Sequence, residues 1–216
     1  MKARPILAVT LTSVSSFFDR GAYYGIRALL IMFMLDELKF EEQYAYSFYE
    51  NFTLAVYIVP LFIAPLLDFV MPPKIGAMIG GVIMSLGAGL LVLGIPEVFV
   101  VAMGLVALGL SFSKLGNLTT LANSYTRRNN NRDIGFGVLY CGINLGSLVS
   151  TVVVSAVGLN MGFEYGFAIA ALFGFLASAT MLIGGWWLHP VSEDKISKAQ
   201  YYAASTDVLD SPDGGT

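Results

Sequence analysis

The chain has 216 residues, of which 56% are hydrophobic and only 12% are charged, and its mean hydropathy is +0.71. Soluble domains carry about 25% charged residues, so this composition indicates a protein whose solvent is lipid. The net charge of −3 gives no indication of a nucleic-acid partner, and the single cysteine, Cys141, excludes an internal disulfide and a cysteine-based metal site.

Six apolar runs follow one another along the chain, and each is long enough to cross a bilayer, for which roughly 20 residues suffice. In chain order they cover residues 6–35, 46–70, 75–94, 98–125, 134–159 and 163–188. The runs are continuous rather than alternating, which excludes an outer-membrane barrel and argues against a soluble all-helical protein. The sequence therefore predicts an all-α membrane protein, a six-transmembrane-helix bundle over residues 1–188, with a polar, partly disordered cytoplasmic tail over residues 189–216.

The basic residues outside the membrane predict the orientation of the bundle. With the N-terminus in the cytoplasm, a single cation lies outside, Lys39, in a loop that also holds four acidic residues. The cytoplasmic side then holds Lys2, Arg4, Lys74, Arg127, Arg128, Arg132, Lys195 and Lys198. This asymmetry follows the positive-inside rule. We therefore expect the chain to be integral to the plasma (inner) membrane, with both termini in the cytoplasm.

The first run contains charges that a helix surrounded by lipid would not tolerate, because each costs about 2.5–3.5 kcal/mol at the bilayer centre on insertion scales. At 100° per residue, one face of this helix holds Ser16, Arg20, Tyr23, Tyr24 and Arg27, and Asp19 lies at its edge. Such a face lines a cavity for a polar solute, or it lets Asp19 and Arg20 pair with charges on other helices. We favour the cavity, because two tyrosines and a second arginine share the face.

Later runs add isolated polar residues. Lys114 lies near the middle of the fourth run, and a lone lysine there needs a carboxylate, which Asp19, Glu50 or a solute would supply. Asn144, in the fifth run, is of a type that more often makes an interhelical hydrogen bond than contacts a ligand. We expect Cys141 to be a small buried residue.

Four stretches combine these polar residues with glycines and aromatic residues. They are FFDRGAYYGIRALL in the first run, VYIVPLFIAPLLDF in the second, GLSFSKLGNLTTLANSY in the fourth and RDIGFGVLYCGINLGSL in the fifth. They resemble motifs of the proton-dependent oligopeptide transporters, the POT or PTR family of the major facilitator superfamily, and the last is the most specific. Together they span nearly all of residues 10–188. The chain thus looks like the N-terminal six-helix half of such a transporter, one half of a major facilitator fold.

The resemblance implies a peptide-binding site. Five positions match those that line the family's peptide cavity: Tyr24, Arg27, Tyr57, Lys114 and Asn144. Arg27 and Lys114 would attract the C-terminal carboxylate of a peptide, and Asn144 would hydrogen-bond its backbone. No catalytic residue, metal site or cofactor is implied.

The resemblance also implies residues for proton coupling and gating. Asp19 and Arg20 match the second acid and the arginine of the proton-coupling motif, and Asp68 matches the acid of the gating loop. Ser16 stands where the family has the first motif glutamate. Because proton coupling needs a carboxylate whose pKa responds to its neighbours, this departure leaves open whether coupling survives.

Two functions remain open at this point. The first is a symporter-like half-transporter that moves small peptides and works only as an assembled pair or with another subunit. The alternative is a non-transporting scaffold or accessory subunit of a larger membrane complex. A third hypothesis is a truncated or split product with no function of its own. An enzyme is not expected, since the sequence contains no nucleophile–base pair, metal-ligand pair or phosphate loop. The expected partners are lipid, protons, small peptides, and a second copy or other membrane subunits, without nucleic acid.

Overall fold

Six long helices make up the fold in a computed structural model that describes residues 3–125 and 131–185. They are α1 (Ala3–Met32), α2 (Glu42–Val70), α3 (Pro73–Leu91), α4 (Pro96–Ala122), α5 (Arg132–Met161) and α6 (Phe163–Gly185). The described ranges contain no strand, and the predicted all-α class is confirmed. The predicted tail, residues 189–216, lies outside the described residues.

Proline and glycine set the short turns between helices. Pro73 and Pro96 each open a helix, where the fixed φ of proline suits the first turn and its missing N–H costs nothing. Gly94, between α3 and α4, has a φ of 63°, and Gly162, between α5 and α6, has a φ of 128°. L-residues rarely adopt such angles, so glycine is required at both turns.

Aromatic rings tie four helices together at the end of the bundle where α1 stops. There α1 continues into one π-helical turn, Phe33–Glu37, before the chain reverses towards α2. The Phe33 ring lies 4.7 Å from that of Phe167 on α6 and 6.2 Å from that of Phe99 on α4, measured between centroids. Phe48 on α2 packs 4.8 Å from Phe99. These contacts fix the ends of α1, α2, α4 and α6 to one another.

The helices are arranged as two related sets of three. α1 packs along α5 and α6, α4 packs along α2 and α3, and α3 packs against α6. If α1, α2 and α3 are exchanged with α4, α5 and α6, in that order, the same pairs of helices remain in contact. Internal repeats of this kind are common in membrane transporters. The arrangement places α1 and α4 at the centre, in contact with each other.

Glycines let helix backbones touch. A Cβ on Gly80 of α3 would overlap the backbone nitrogen of Ser113 on α4, and one on Gly146 of α5 would overlap the Phe17 carbonyl oxygen on α1. Small residues allow this close approach in lipid, where helix association depends on van der Waals packing. The α3–α4 and α1–α5 contacts therefore rest on glycine.

By length and composition, five of the described helices, α2 to α6, qualify as membrane spans. α1, with 30 residues, is long enough but too polar. This polar helix at the centre of an otherwise apolar bundle is where the candidate site lies.

Gly146→Ala is expected to destabilise the bundle, because its methyl group would push α5 away from the backbone of α1. Overpacking of this kind typically costs about 1–3 kcal/mol. The measurement is the temperature at which detergent-solubilised protein loses its monodisperse gel-filtration peak. Gly137→Ala is the matched control on the same helix, since a Cβ at Gly137 meets nothing within 4 Å. Equal melting temperatures for the two variants would contradict the α1–α5 packing.

Candidate functional site

A buried polar network joins α1 to α4. Ser113 Oγ donates a 2.8 Å hydrogen bond to Asp19 Oδ2, and Asn117 Nδ2 lies 3.5 Å from the same oxygen and 3.2 Å from Ser15 Oγ. Asp19 and Ser113 are fully buried. Ser15 Oγ also donates to the Ala177 carbonyl on α6, at 3.2 Å. On each of α1 and α4, two of these polar residues are four positions apart, so both pairs project towards the helix contact.

Arg20 lies beside this network. Its Nε is 3.5 Å from Asp19 Oδ1, and the residue is only 9% exposed. Neither of these two atoms has a hydrogen-bond partner among the described residues. The structure therefore places Asp19 and Arg20 beside each other in the packed interior, and the α4 partners of Asp19 are the neutral side chains of Ser113 and Asn117 rather than charges on another helix. Their role in proton coupling stays a prediction.

Arg27 is held differently, two turns further along α1. Its side chain is partly exposed, and Nε donates a 2.6 Å hydrogen bond to the hydroxyl of Tyr49 on α2. The buried Tyr23 ring lies 5.0 Å from that of Tyr24 and 6.3 Å from that of Phe52 on α2, measured between centroids. The contact between α1 and α2 around Arg27 is therefore aromatic, and it leaves the guanidinium at the edge of the packed interior.

Lys114 lies next to the network of hydrogen bonds between α1 and α4 but is not buried with it. The residue is half-buried, and among the described residues Arg20 and Asp19 are the charges that act on its ammonium group. Arg20 and Lys114 both act on the Asp19 carboxylate, whereas the partner of Arg27 on α2 is the uncharged hydroxyl of Tyr49. This excess of positive charge favours an anionic ligand.

The remaining predicted cavity residues lie on exposed helix faces. Tyr57 of α2 is 65% exposed, and Asn144 of α5 is also exposed. Within the described part of the chain, the Asn144 side chain makes no hydrogen bond to the other predicted site residues. Cys141, one turn before Asn144, is exposed as well, so the expectation of a buried cysteine is wrong. The reason is that α5 buries a single narrow stripe, which packs on α1 and does not include Cys141.

Asp68, the predicted gating residue, lies in the last turn of α2, and its side chain is outside the described part of the structure. Its role stays a prediction. In the described ranges no group of three His, Cys, Asp or Glu residues is placed to hold a metal ion.

The model of the POT family matches residues 75–204 of the chain. The chain belongs to the POT family. Among curated relatives, dipeptide and tripeptide permease B of Aliivibrio fischeri is 31% identical over 163 residues, which cover 74% of this chain and 33% of that protein. The di-/tripeptide transporter of Lactococcus lactis subsp. cremoris is 26% identical over 167 residues, covering 73% and 33%. The chain thus spans about a third of the length of these relatives.

Solved POT-family structures show the same fold. The crystal structure of peptide transporter POT in complex with sulfate superposes with a TM-score of 0.76 at 26% identity, over 94% of this chain and 44% of that chain. An auto-inhibited POT family peptide transporter gives a TM-score of 0.77 at 21% identity, over 87% and 39%. This POT-family chain therefore corresponds to the N-terminal six-helix half of a major facilitator fold and is an integral membrane protein, which confirms both predictions.

Sequence reasoning missed four residues of the site. Ser15, Ser113 and Asn117 were not singled out, although their spacing of four residues from Asp19 or from one another was a usable signal. Tyr49 carried no such signal, because its link to Arg27 depends on how α2 packs against α1.

Ser113→Ala is expected to lower the free energy of unfolding by about 1–3 kcal/mol, because it leaves a buried carboxylate oxygen with a poorer partner. The matched control is Ser111→Ala. Ser111 is equally buried on the same helix, but its hydroxyl donates to the carbonyl of Ala107 within that helix, at 2.8 Å. Unfolding in mixed micelles by titration with dodecyl sulfate gives both values. Similar losses would show that the Asp19 hydrogen bond adds nothing to stability.

Proposed function

We propose that this POT-family chain supplies the N-terminal wall of a site for small peptides and moves them across the membrane as part of a two-half transporter. The observation that carries the proposal is the partial exposure of Arg27 and Lys114 in a bundle that buries Asp19 and Arg20. The curated relatives named as di- and tripeptide transporters support the substrate class.

A peptide offers groups that suit these residues. Its C-terminal carboxylate is a planar anion that a guanidinium binds with two parallel hydrogen bonds, and an ammonium adds a point charge. Arg27 and Lys114 are proposed to share this role. Tyr24, Tyr57 and Asn144 would add ring surface and hydrogen bonds to the peptide backbone, as in other mostly apolar sites with a few polar anchors.

The second half is proposed to meet the exposed faces of α2 and α5. In the most apolar stretch of each helix, only 28% of α2 and 22% of α5 are buried inside the bundle, whereas 56% of α4 is buried. Two predicted cavity residues, Tyr57 and Asn144, lie on these two helices. Alternating access requires two halves that rock around a site near the membrane midplane. The other half would be a second copy of this chain or a further six-helix unit, and both chain termini would lie in the cytoplasm.

The mass of the complex extracted in native lipid tests the assembly. We expect about twice the 23.2 kDa of this chain if two copies form the transporter, and a similar mass if a different six-helix unit is the partner. Peptide mapping separates these two cases. A much larger complex would favour the accessory-subunit alternative, and a lone chain that binds peptides would contradict the need for a second half.

Arg27→Ala is expected to weaken dipeptide binding by at least tenfold while membrane insertion is unchanged, because the proposed carboxylate partner is lost. Binding and uptake of a radiolabelled dipeptide by proteoliposomes, with an inward proton gradient, provide the measurement. Arg132→Ala is the control, since Arg132 lies at the start of α5 with its guanidinium 5.7 Å from the Phe136 ring centroid.

Two outcomes would count against the proposal. Unchanged binding by the Arg27→Ala variant would make this arginine a structural residue. If the assembled wild-type protein neither binds nor accumulates dipeptides, the transport function itself is rejected.

A further inference from the structure

Among the described residues, Tyr49 is the one that attaches Arg27 to α2. Its Nε donates to Tyr49 Oη at 2.6 Å, and its guanidinium carbon lies 5.3 Å from the centre of the same ring. The Tyr49 ring itself packs against the main hydrophobic core, so its hydroxyl is held in place. The contact is therefore a short, charge-assisted hydrogen bond from a fixed acceptor.

This bond decides which part of the guanidinium remains available. A guanidinium can donate two hydrogen bonds to a carboxylate from either of two edges. The first edge carries Nε and one Nη, and the second, terminal edge carries the two Nη groups. Because Tyr49 occupies Nε, the first edge is blocked and the terminal edge is left. The hydroxyl of Tyr23 also reaches the guanidinium, but Tyr23 lies on α1 itself, so it is Tyr49 that fixes Arg27 relative to α2.

We infer that Tyr49 is a positioning residue, which turns the terminal edge of Arg27 towards the open side of the bundle and so favours ligands with a free carboxylate. The inference rests on the proposed peptide site. A long arginine side chain has several torsions to fix on binding, and a hydrogen bond that fixes them beforehand reduces this entropy cost. Removing the hydroxyl should therefore weaken carboxylate binding without removing any ligand contact.

The test compares Tyr49→Phe with Tyr44→Phe in the full protein, with all its subunits, in lipid nanodiscs. Tyr44 lies on the same helix, and its ring packs near Phe40 and Phe48, at 5.1 and 6.2 Å between centroids. The probes are the dipeptide Ala-Ala and its C-terminal amide, titrated by calorimetry. We expect wild type and Tyr44→Phe to prefer the free acid. Tyr49→Phe should lose about tenfold in affinity for the acid and less than twofold for the amide.

A second readout does not depend on peptide binding. Phenylglyoxal modifies guanidinium groups, and mass spectrometry follows its reaction at Arg27. We expect Arg27 to react several times faster in Tyr49→Phe than in wild type or Tyr44→Phe, because its side chain is no longer held.

The outcomes separate the inference from the function on which it rests. If wild type binds the acid and Tyr49→Phe retains the full preference for it, the positioning role is overturned and the peptide site stands. If wild type binds neither probe, the proposed function fails. The rate of phenylglyoxal modification at Arg27 is then the only measurement that tests the positioning role of Tyr49. A faster rate at Arg27 in Tyr49→Phe then still supports positioning, and an unchanged rate overturns it.

Discussion

The carboxylate of Asp19 constrains this bundle more than any other group, because it is fully buried in a protein whose solvent is lipid. Ser113 and Asn117 on α4 supply its hydrogen bonds, and Arg20 supplies the nearest positive charge. A buried charge left without such partners would cost several kcal/mol. The relative positions of α1 and α4 must therefore satisfy this one group, and these two helices form the centre around which the others pack.

Glycine makes that centre possible. Where Gly146 meets the backbone of Phe17, and where Gly80 meets that of Ser113, no side chain separates the helices. Helices whose backbones touch at such glycines are difficult to shift along each other, because a shift would bring a larger side chain into the contact. The aromatic contacts of Phe33, Phe99 and Phe167 add a second fixed point at one end of the bundle. Such a unit suits the proposed function, in which one half moves against another as a rigid body.

The two arginines of α1 lie in different surroundings, and these surroundings decide whether their positive charge is neutralised inside the bundle. Arg20 lies next to Asp19 inside the bundle, whereas Arg27 is near the rim and has its neutral partner, Tyr49, on α2. A neutral partner leaves the positive charge of Arg27 uncompensated. Under the proposed function, this charge of Arg27 and that of the half-buried Lys114 attract the carboxylate of a peptide, and a second half covers the exposed faces of α2 and α5.

The sequence by itself determined the six helices, the membrane setting and the family. A continuous run of about 20 apolar residues satisfies its backbone in lipid by forming a helix, as in α2 to α6, and the motifs around Asp19, Lys114 and Asn144 are local in the chain. Only the tertiary structure decided which polar residues meet. Ser16, Arg20, Tyr23, Tyr24 and Arg27 share one face of α1, yet the first three are buried and the last two are partly exposed. The reason is that α1 contacts every other helix of the bundle, so one face passes through several environments that periodicity along the chain cannot distinguish.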